Sequence, residues 1–317
     1  MIIQIVLLVL GFIILIKGAD IFVDGASAVA GNFKISKMLI GLTIVAFGTS
    51  SPEFAVSVKS ILSNNHDIVL GNVIGSNILN ILLILGVSSL FHSLNVKNNT
   101  VKKELPITLL LTSLFAVLLS DSLFDNGVVN SFTRSDGVTI LLFFSVFVYY
   151  LISMMRNKID EDSEEEYMPL VKSILFTVVG IILIIMGSNF VVDGASGIAT
   201  TLGVSQKLIS LTIIALGTSL PELVTSITAT RKGEFDIAIG NVVGSNIFNI
   251  GIVLGLPVAL FGGISHISFN YVDLIAMLIS AALLFLFARN DRKISKYEGI
   301  IFILLFVIYY SYVIFMG

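Results

Sequence analysis

Two short blocks of the chain combine a carboxylate with hydroxyls, a proline and a glycine inside strongly apolar surroundings. They read GTSSPE at residues 48–53 and GTSLPE at residues 217–222. A carboxylate at the centre of a bilayer costs about 3 kcal/mol or more. If these segments cross a membrane, we expect Glu53 and Glu222 to face the interior of a helix bundle and bind something there. A purely structural kink is the simpler alternative, but it leaves both charges uncompensated.

Each block carries a proline, which removes a backbone donor and clashes with the carbonyl four residues earlier. Pro52 and Pro221 therefore predict broken helices, with freed carbonyls near Ala46 and Ala215. Irregular backbone at membrane depth is tolerated only where it lines a buried or hydrated cavity. The same blocks add four hydroxyl oxygens, those of Thr49, Ser50, Thr218 and Ser219.

The segment after each block carries amide and hydroxyl side chains spaced four residues apart, which places them along one helix face. Hydrogen bonding between helices is the alternative role for this stripe. In the same segments, Gly71 with Gly75 and Gly240 with Gly244 predict close helix approach. The two polar series are Asn72, Ser76 and Asn80, and Asn241, Ser245 and Asn249.

All of these candidate ligands are oxygen donors. The chain has no cysteine, and its three histidines form no cluster. Carboxylate, carbonyl, hydroxyl and amide oxygens favour hard cations such as Ca²⁺ or Na⁺ over zinc or copper. Two glutamates bring a formal charge that one Ca²⁺ neutralises. We therefore expect a hard cation such as Ca²⁺ or Na⁺ at these residues, and no prosthetic group.

The composition is that of a membrane protein. Of 317 residues, 56% are hydrophobic and 12% are charged, against about 25% charged in soluble domains. A spanning helix needs about 20 predominantly apolar residues. The pattern predicts an all-α integral membrane protein with ten transmembrane helices, at 2–24, 39–62, 68–91, 105–120, 137–155, 172–193, 208–230, 237–261, 272–288 and 298–316.

A single constant offset, the one that places Gly48 on Gly217, superimposes the first half of the chain on the second. By this offset VDGAS at 23–27 recurs at 192–196, and GNVIGSNILNILLILG from Gly71 recurs as GNVVGSNIFNIGIVLG from Gly240. Each copy holds five predicted spans, an odd number, so the copies must cross the membrane in opposite directions. Inverted repeats that meet at a midplane site are typical of secondary transporters. The predicted division is 1–155, a connector at 156–170, and 171–317.

The basic residues predict the orientation. With the N-terminus outside, 14 of the 18 Lys and Arg residues fall in inside loops and two in outside loops, which satisfies the positive-inside rule. We therefore expect a cell-membrane protein with both termini outside and the acidic connector in the cytoplasm. Its run DEDSEEE, at 160–166, is typical of a solvated linker, with Ca²⁺ sensing as the alternative. The expected surroundings are the lipid bilayer, without nucleic acid and without an obligate protein partner.

These residues resemble the Na⁺/Ca²⁺ exchangers of the cation/Ca²⁺ antiporter superfamily. The specific part is a pair of alpha repeats, 39–86 and 208–255, each with GTSxPE and GNVxGSNxxN. The resemblance implies an antiporter, not an enzyme, that works by alternating access. It also implies a midplane site between the repeats, where Glu53 and Glu222 ligate Ca²⁺ centrally and Na⁺ occupies flanking positions. The implied ion-holding residues are Ala46, Thr49, Ser50, Glu53, Ser76 and Asn80, with Ala215, Thr218, Ser219, Glu222, Ser245 and Asn249.

The chain departs from some members of this family at one position. They carry Asp where this chain has Asn249, which leaves ion stoichiometry and any coupling to K⁺ open. The proton-coupled branch typically has a Glu where this chain has Gly75-Ser76 and Gly244-Ser245. H⁺/Ca²⁺ or other cation/Ca²⁺ exchange is the alternative function. A channel is disfavoured because channels usually build their pore from identical subunits, and an intramembrane enzyme because no HExxH motif is present.

Overall fold

The fold is almost entirely helical. A short antiparallel ribbon pairs Leu94–Asn95 with Lys293–Ile294. Most of the predicted connector at 156–170, including its acidic run, lies outside the residues described, as does part of the second alpha repeat. The computed structural model describes residues 1–63, 65–124, 129–156, 167–204, 209, 212–213, 215–264 and 270–316.

Long helices in the first half alternate with short helices and with π-helical turns, in which the backbone bonds reach one residue further and the helix widens. The π-helical turns are Gly41–Val45, Asn80–Leu85 and Thr100–Glu104. The α-helices are Ile2–Phe33, Lys37–Ile40, Ala46–Thr49, Ser51–Leu62, His66–Leu79, Gly86–Phe91, Leu105–Leu118, Asp121–Phe124 and Arg134–Arg156.

The second half follows the same order. A π-helical turn at Asn249–Leu254 occupies the place that Asn80–Leu85 has in the first half. The α-helices are Leu170–Thr201, Ala215–Thr218, Leu220–Arg231, Phe235–Phe248, Gly255–Phe261, Tyr271–Asp291 and Lys296–Met316.

Helix length and hydropathy confirm a multi-pass membrane protein. Within the described residues, seven helices are long and apolar enough to cross a membrane, and the bent pair Lys37–Thr49 and Ser51–Leu62 would make an eighth. The predicted span at 105–120 contains the 14-residue helix Leu105–Leu118. The span predicted at 208–230 contains most of Leu220–Arg231 and runs back into residues that are not described.

The loops gather at two ends of the helix bundle. At one end, the antiparallel ribbon joins the loop that contains Leu94–Asn95 to the loop that contains Lys293–Ile294. At the same end, Lys97 Nζ lies 2.6 Å from Asp236 Oδ2. At the other, Phe132 pairs with Ile264 through two backbone hydrogen bonds. Helix Tyr271–Asp291 connects the two groups. Its 21 residues rise about 30 Å, so the groups lie at opposite ends.

The two 32-residue helices, Ile2–Phe33 and Leu170–Thr201, pack against each other along their length. A Cβ on Gly180 would lie 2.6 Å from Phe22 Cα, and one on Gly18 would lie 2.9 Å from Ile184 N. No side chain fits at such distances, so the backbones touch directly. The glycines of this contact recur with a heptad spacing, at Gly11, Gly18 and Gly25 and at Gly180, Gly187 and Gly194.

The predicted close approach at the second glycine pair is confirmed. A Cβ on Gly240 would lie 2.9 Å from Gly41 Cα, and one on Gly244 would lie 2.9 Å from Leu42 Cα. Around Gly71 and Gly75 no described atom comes within 4 Å of the corresponding position. By the offset between the halves, their partners would be positions 210 and 211, which lie outside the described residues.

Candidate cation site

The first polar block lies at a bend in the helix, as its proline predicts. Lys37–Thr49 and Ser51–Leu62 meet at 47°, and Ser50 between them leaves the helical conformation at φ −81° and ψ 7°. Pro52 then occupies the first turn of the second helix, where its missing N–H costs nothing. The bend also places Glu53 in that first turn, where the helix dipole favours a negative charge. Glu222 has the same position in Leu220–Arg231.

The bend does not free the Ala46 carbonyl. Its oxygen accepts hydrogen bonds from Ser50 N at 3.0 Å and from Thr49 Oγ1 at 3.3 Å. Ser245 Oγ, from the other half, lies 3.5 Å away. The carbonyl therefore lies at the meeting point of the halves with its lone pairs already engaged. Ala215 begins the matching short helix, and its side chain lies outside the described residues.

The two glutamates are bound reciprocally across the halves of the chain. Ser50 Oγ donates to Glu222 Oε1 at 2.9 Å, and Ser219 Oγ donates to Glu53 Oε1 at 3.1 Å. Each glutamate is only 1% exposed. A hydroxyl that gives its proton to a carboxylate keeps its lone pairs for a further partner. The four side chains therefore form one buried oxygen cluster built equally from both halves.

Four oxygens in this region are buried without a hydrogen-bond partner among the described residues. They come in two matched pairs, the second carboxylate oxygen of each glutamate and the amide oxygen of one asparagine from each half. A buried acceptor left unpaired costs about 1–3 kcal/mol, and more when it is charged. A cation would supply what these acceptors lack. The four oxygens are Glu53 Oε2, Glu222 Oε2, Asn80 Oδ1 and Asn249 Oδ1.

Asparagine pairs between the halves hold these amide oxygens in place. Asn80 Nδ2 donates to Asn246 Oδ1 at 2.9 Å, and Asn249 Nδ2 donates to Asn77 Oδ1 at 3.3 Å. Asn80 and Asn249 also begin the two π-helical turns, a distortion that is frequent at functional sites. Asn77 and Asn246 were not among the predicted residues, although the motif GSNxxN carries them in both copies.

The first members of the polar series have a different role. Asn72 Nδ2 donates to the Glu53 backbone oxygen at 3.1 Å and to Ser57 Oγ at 3.2 Å. Asn241 Nδ2 makes the same two contacts in its own half, at 3.3 Å and 2.9 Å. Asn72 and Asn241 therefore form hydrogen bonds between helices, which was the alternative role for the polar series. They anchor the helix turn that carries each glutamate.

The remaining predicted residues surround the same cluster. Ser76 Oγ lies 3.3 Å from Ser219 Oγ, and Thr49 Oγ1 donates to Asn241 Oδ1 at 3.0 Å. Thr218 is half-buried and contacts the Glu53 carboxylate. Ser245 is fully buried. The structure thus brings the side chains of both polar blocks and of both following helices to one place.

The donor set has the chemistry of a hard-cation site. Nowhere in the described chain do three or more His, Cys, Asp or Glu side chains gather as for zinc or another transition metal. Here two carboxylates are combined with neutral hydroxyl and amide oxygens. Ca²⁺ takes six to eight such oxygens in flexible geometry, whereas Mg²⁺ gives up its water reluctantly. The residues present therefore suit Ca²⁺ and Na⁺.

Comparisons with known proteins point to the same chemistry. The family model described as "Sodium/calcium exchanger protein" matches residues 3–153 and 172–315. Sodium/calcium exchanger MaX1 of Methanosarcina acetivorans is 30% identical over 95% of both chains, and inner membrane protein YrbG of Escherichia coli is 35% identical over 93% of this chain and 92% of its own. A structure of the sodium-calcium exchanger NCX_Mj, soaked with Na⁺ and Ca²⁺, superimposes with a TM-score of 0.85 at 33% identity, covering 100% of this chain and 99% of that one.

Proposed function

Because the chain belongs to the sodium/calcium exchanger protein family, we propose that it moves Na⁺ and Ca²⁺ in opposite directions across a membrane. The observation that carries this proposal is the set of four buried acceptors without partners among the described residues, two from each half. Two carboxylates balance one Ca²⁺ in charge. Na⁺ binds the same oxygens, so the two cations compete, and competition for shared ligands couples their movements.

The proposed ligands follow the geometry of the cluster. Glu53 and Glu222 hold Ca²⁺ at the centre, because each offers a carboxylate oxygen that no described side chain satisfies. Asn80 and Asn249 flank them with amide oxygens. Na⁺ occupies positions among the hydroxyls. The Ala46 carbonyl would join them by exchanging one of its present hydrogen bonds for the ion. The full proposed set is Ala46, Thr49, Ser50, Glu53, Ser76 and Asn80, with Ala215, Thr218, Ser219, Glu222, Ser245 and Asn249.

The proposed architecture is ten spans in two inverted repeats, 1–155 and 171–317, joined by the connector at 156–170. Repeated boundaries support it, since Ser51–Leu62 and Leu220–Arg231 begin and end at equivalent positions of the two copies. The helix of the fourth predicted span continues directly from the turn Thr100–Glu104, so helical backbone runs unbroken to Leu118, close to the length that a span needs. The reciprocal contacts between serine and glutamate add support, since only related halves would repeat them in register.

Alternating access follows from this arrangement. Two related halves that bind one ion cluster between them can exchange their conformations, which opens the cluster to one side and then to the other. We place both termini outside and the connector in the cytoplasm. The loops at the end of the bundle that holds the ribbon carry Lys34, Lys97, Lys232 and Arg292, and basic loops mark the inner face.

Transport into vesicles tests the function. The purified chain is reconstituted, loaded with Na⁺ and diluted into Na⁺-free medium that contains labelled Ca²⁺. We expect Ca²⁺ uptake that requires the outward Na⁺ gradient and stops when an ionophore collapses it. Vesicles with a pH gradient and no Na⁺ should take up none. Uptake that follows the pH gradient and ignores Na⁺ would contradict the proposal and favour H⁺/Ca²⁺ exchange.

A further inference from the structure

A cavity that shares no residue with the cation cluster lies at the end of the bundle that holds the ribbon. Its volume is about 560 Å³. It opens between the helix that begins at Thr100–Glu104 and the C-terminal end of Tyr271–Asp291. Three cations line it, together with the amide of Asn98, and no acidic residue does so among the described residues. The cations are Lys102, Arg289 and Arg292.

None of the three cations has an acidic partner in the described part of the chain. No carboxylate there lies within 4 Å of any of them, whereas Lys37, Lys97, Lys232 and Lys293 at the same end all have acidic partners. Three like charges around one cavity repel each other unless an anion lies among them. The cavity therefore carries an excess of positive charge that an anionic ligand can neutralise.

Helix dipoles explain only part of this cluster. Arg289 lies in the last turn of Tyr271–Asp291 and Arg292 follows it, where a cation is favourable. Lys102 lies at the beginning of its helix, where the dipole disfavours a cation. The position of Lys102 thus calls for a different partner.

A backbone hydrogen bond holds the loop at the rim of the cavity, and apolar side chains line its inner side. The Arg292 carbonyl accepts a hydrogen bond from Val96 N at 2.8 Å, which continues the ribbon and fixes the loop. Pro106 and Phe285 line the cavity towards the membrane. Next to them along the two helices, Leu110 and Leu286 are 56% and 55% exposed. The cationic rim therefore leads into surfaces that face acyl chains.

We propose that this cavity binds the phosphate of an anionic phospholipid, with Lys102, Arg289 and Arg292 around the headgroup and the acyl chains along the apolar side. Basic pockets between transmembrane helices recognise anionic headgroups in this way. A soluble phosphate shares the headgroup chemistry but gains nothing from the apolar side. The lipid holds the two helices together at the membrane surface.

Native mass spectrometry of the detergent-solubilised full chain tests this proposal. Phosphatidylglycerol is compared with phosphatidylcholine of the same acyl chains, and we expect phosphatidylglycerol to be retained preferentially. Each cation near a charged lipid contributes about 1 kcal/mol, which corresponds to about fivefold in affinity. Lys102→Gln and Arg289→Gln should each weaken retention about fivefold. Arg231→Gln, an exposed cation outside the cavity, should leave it unchanged.

Three outcomes would overturn the proposal. Equal retention of the two lipids by the wild-type chain would show that the cavity does not distinguish the headgroups by charge. This comparison uses only the wild-type chain, so it does not depend on the folding of a variant. Equal weakening by Arg231→Gln would show only a general surface attraction. Displacement of phosphatidylglycerol by inorganic phosphate at the same concentration would assign the cavity to a soluble anion instead.

Discussion

Ser50 donates to the carboxylate of Glu222 at 2.9 Å, although the two residues are far apart in the sequence. The offset between the halves turns this pair into Ser219 and Glu53, which make the same contact at 3.1 Å. Neither half can complete its own carboxylate. The cluster therefore exists only where the halves meet, and any movement of one half against the other must rearrange it.

Removal of either serine hydroxyl should weaken Ca²⁺ binding. A hydrogen bond to a charged group contributes about 1.5–3 kcal/mol, so Ser50→Ala and Ser219→Ala should each lower apparent Ca²⁺ affinity roughly tenfold or more in vesicle uptake. Ser51→Ala is the matched control, because its hydroxyl bonds to Phe47 O one turn earlier in its own half. A loss as large in Ser51→Ala as in Ser50→Ala would contradict the role given to the reciprocal contacts.

Neutralising one glutamate should abolish Ca²⁺ transport and spare the fold. Glu53→Gln and Glu222→Gln each remove half of the formal charge of the cluster and keep its shape. Without ions, their thermal unfolding in detergent should occur at or above the wild-type temperature, since an uncompensated buried carboxylate is unfavourable. Asp193→Asn removes an exposed carboxylate and should transport normally. Near-normal Ca²⁺ exchange by either Gln variant would move the site elsewhere.

The flanking amides should matter through their oxygens. Asn249→Leu and Asn80→Leu each remove one of the buried acceptors that lack a partner among the described residues, and both should reduce Na⁺-driven Ca²⁺ uptake at least tenfold. Asn290→Leu makes the same substitution at an exposed position, and it serves as the control that should transport normally. If Asn249→Leu is fully active, that position does not line the ion path.

The positions of the two clustered glutamates were predictable because polar residues inside an apolar run are few and recur in register. Glu53 and Glu222 needed no structure to be singled out, and the constant offset between the copies predicted that they are equivalent. Asn77 and Asn246 were missed because only the four-residue spacing was followed. Both lie in regular helices, His66–Leu79 and Phe235–Phe248, where residues three apart are also neighbours on one face.

The sequence also carries a signal for the contact between the two longest helices, which was not among the predictions. Glycine recurs with a heptad spacing at Gly11, Gly18 and Gly25, which is a helix-face period, yet it stands among apolar residues that mark it only as a span. For the Ala46 carbonyl, the sequence predicted a feature that the structure does not have. Its freedom was expected from Pro52, but the backbone bends at Ser50 and keeps the bond from Ser50 N to Ala46 O.

The glycine contact should be intolerant of a single methyl group. Gly180→Ala places a Cβ 2.6 Å from Phe22 Cα, which is backbone and cannot move aside. Overpacking of this kind costs about 1–3 kcal/mol, so thermal unfolding in detergent should occur at a clearly lower temperature. Gly197→Ala on the same helix meets only the Gln4 side chain, which can rotate, and should unfold near the wild-type temperature. Equal stability of both variants would contradict direct backbone contact.

We expect one cation to lie between Glu53 and Glu222, held by both halves. The most direct measurement is anomalous diffraction from crystals of this chain soaked with Sr²⁺, a heavier analogue of Ca²⁺, with and without Na⁺. We expect one dominant peak bonded to both carboxylates, which fades as the Na⁺ concentration rises and is absent from Glu222→Gln crystals. A dominant peak that touches neither glutamate, or one that survives unchanged in Glu222→Gln, would contradict this expectation.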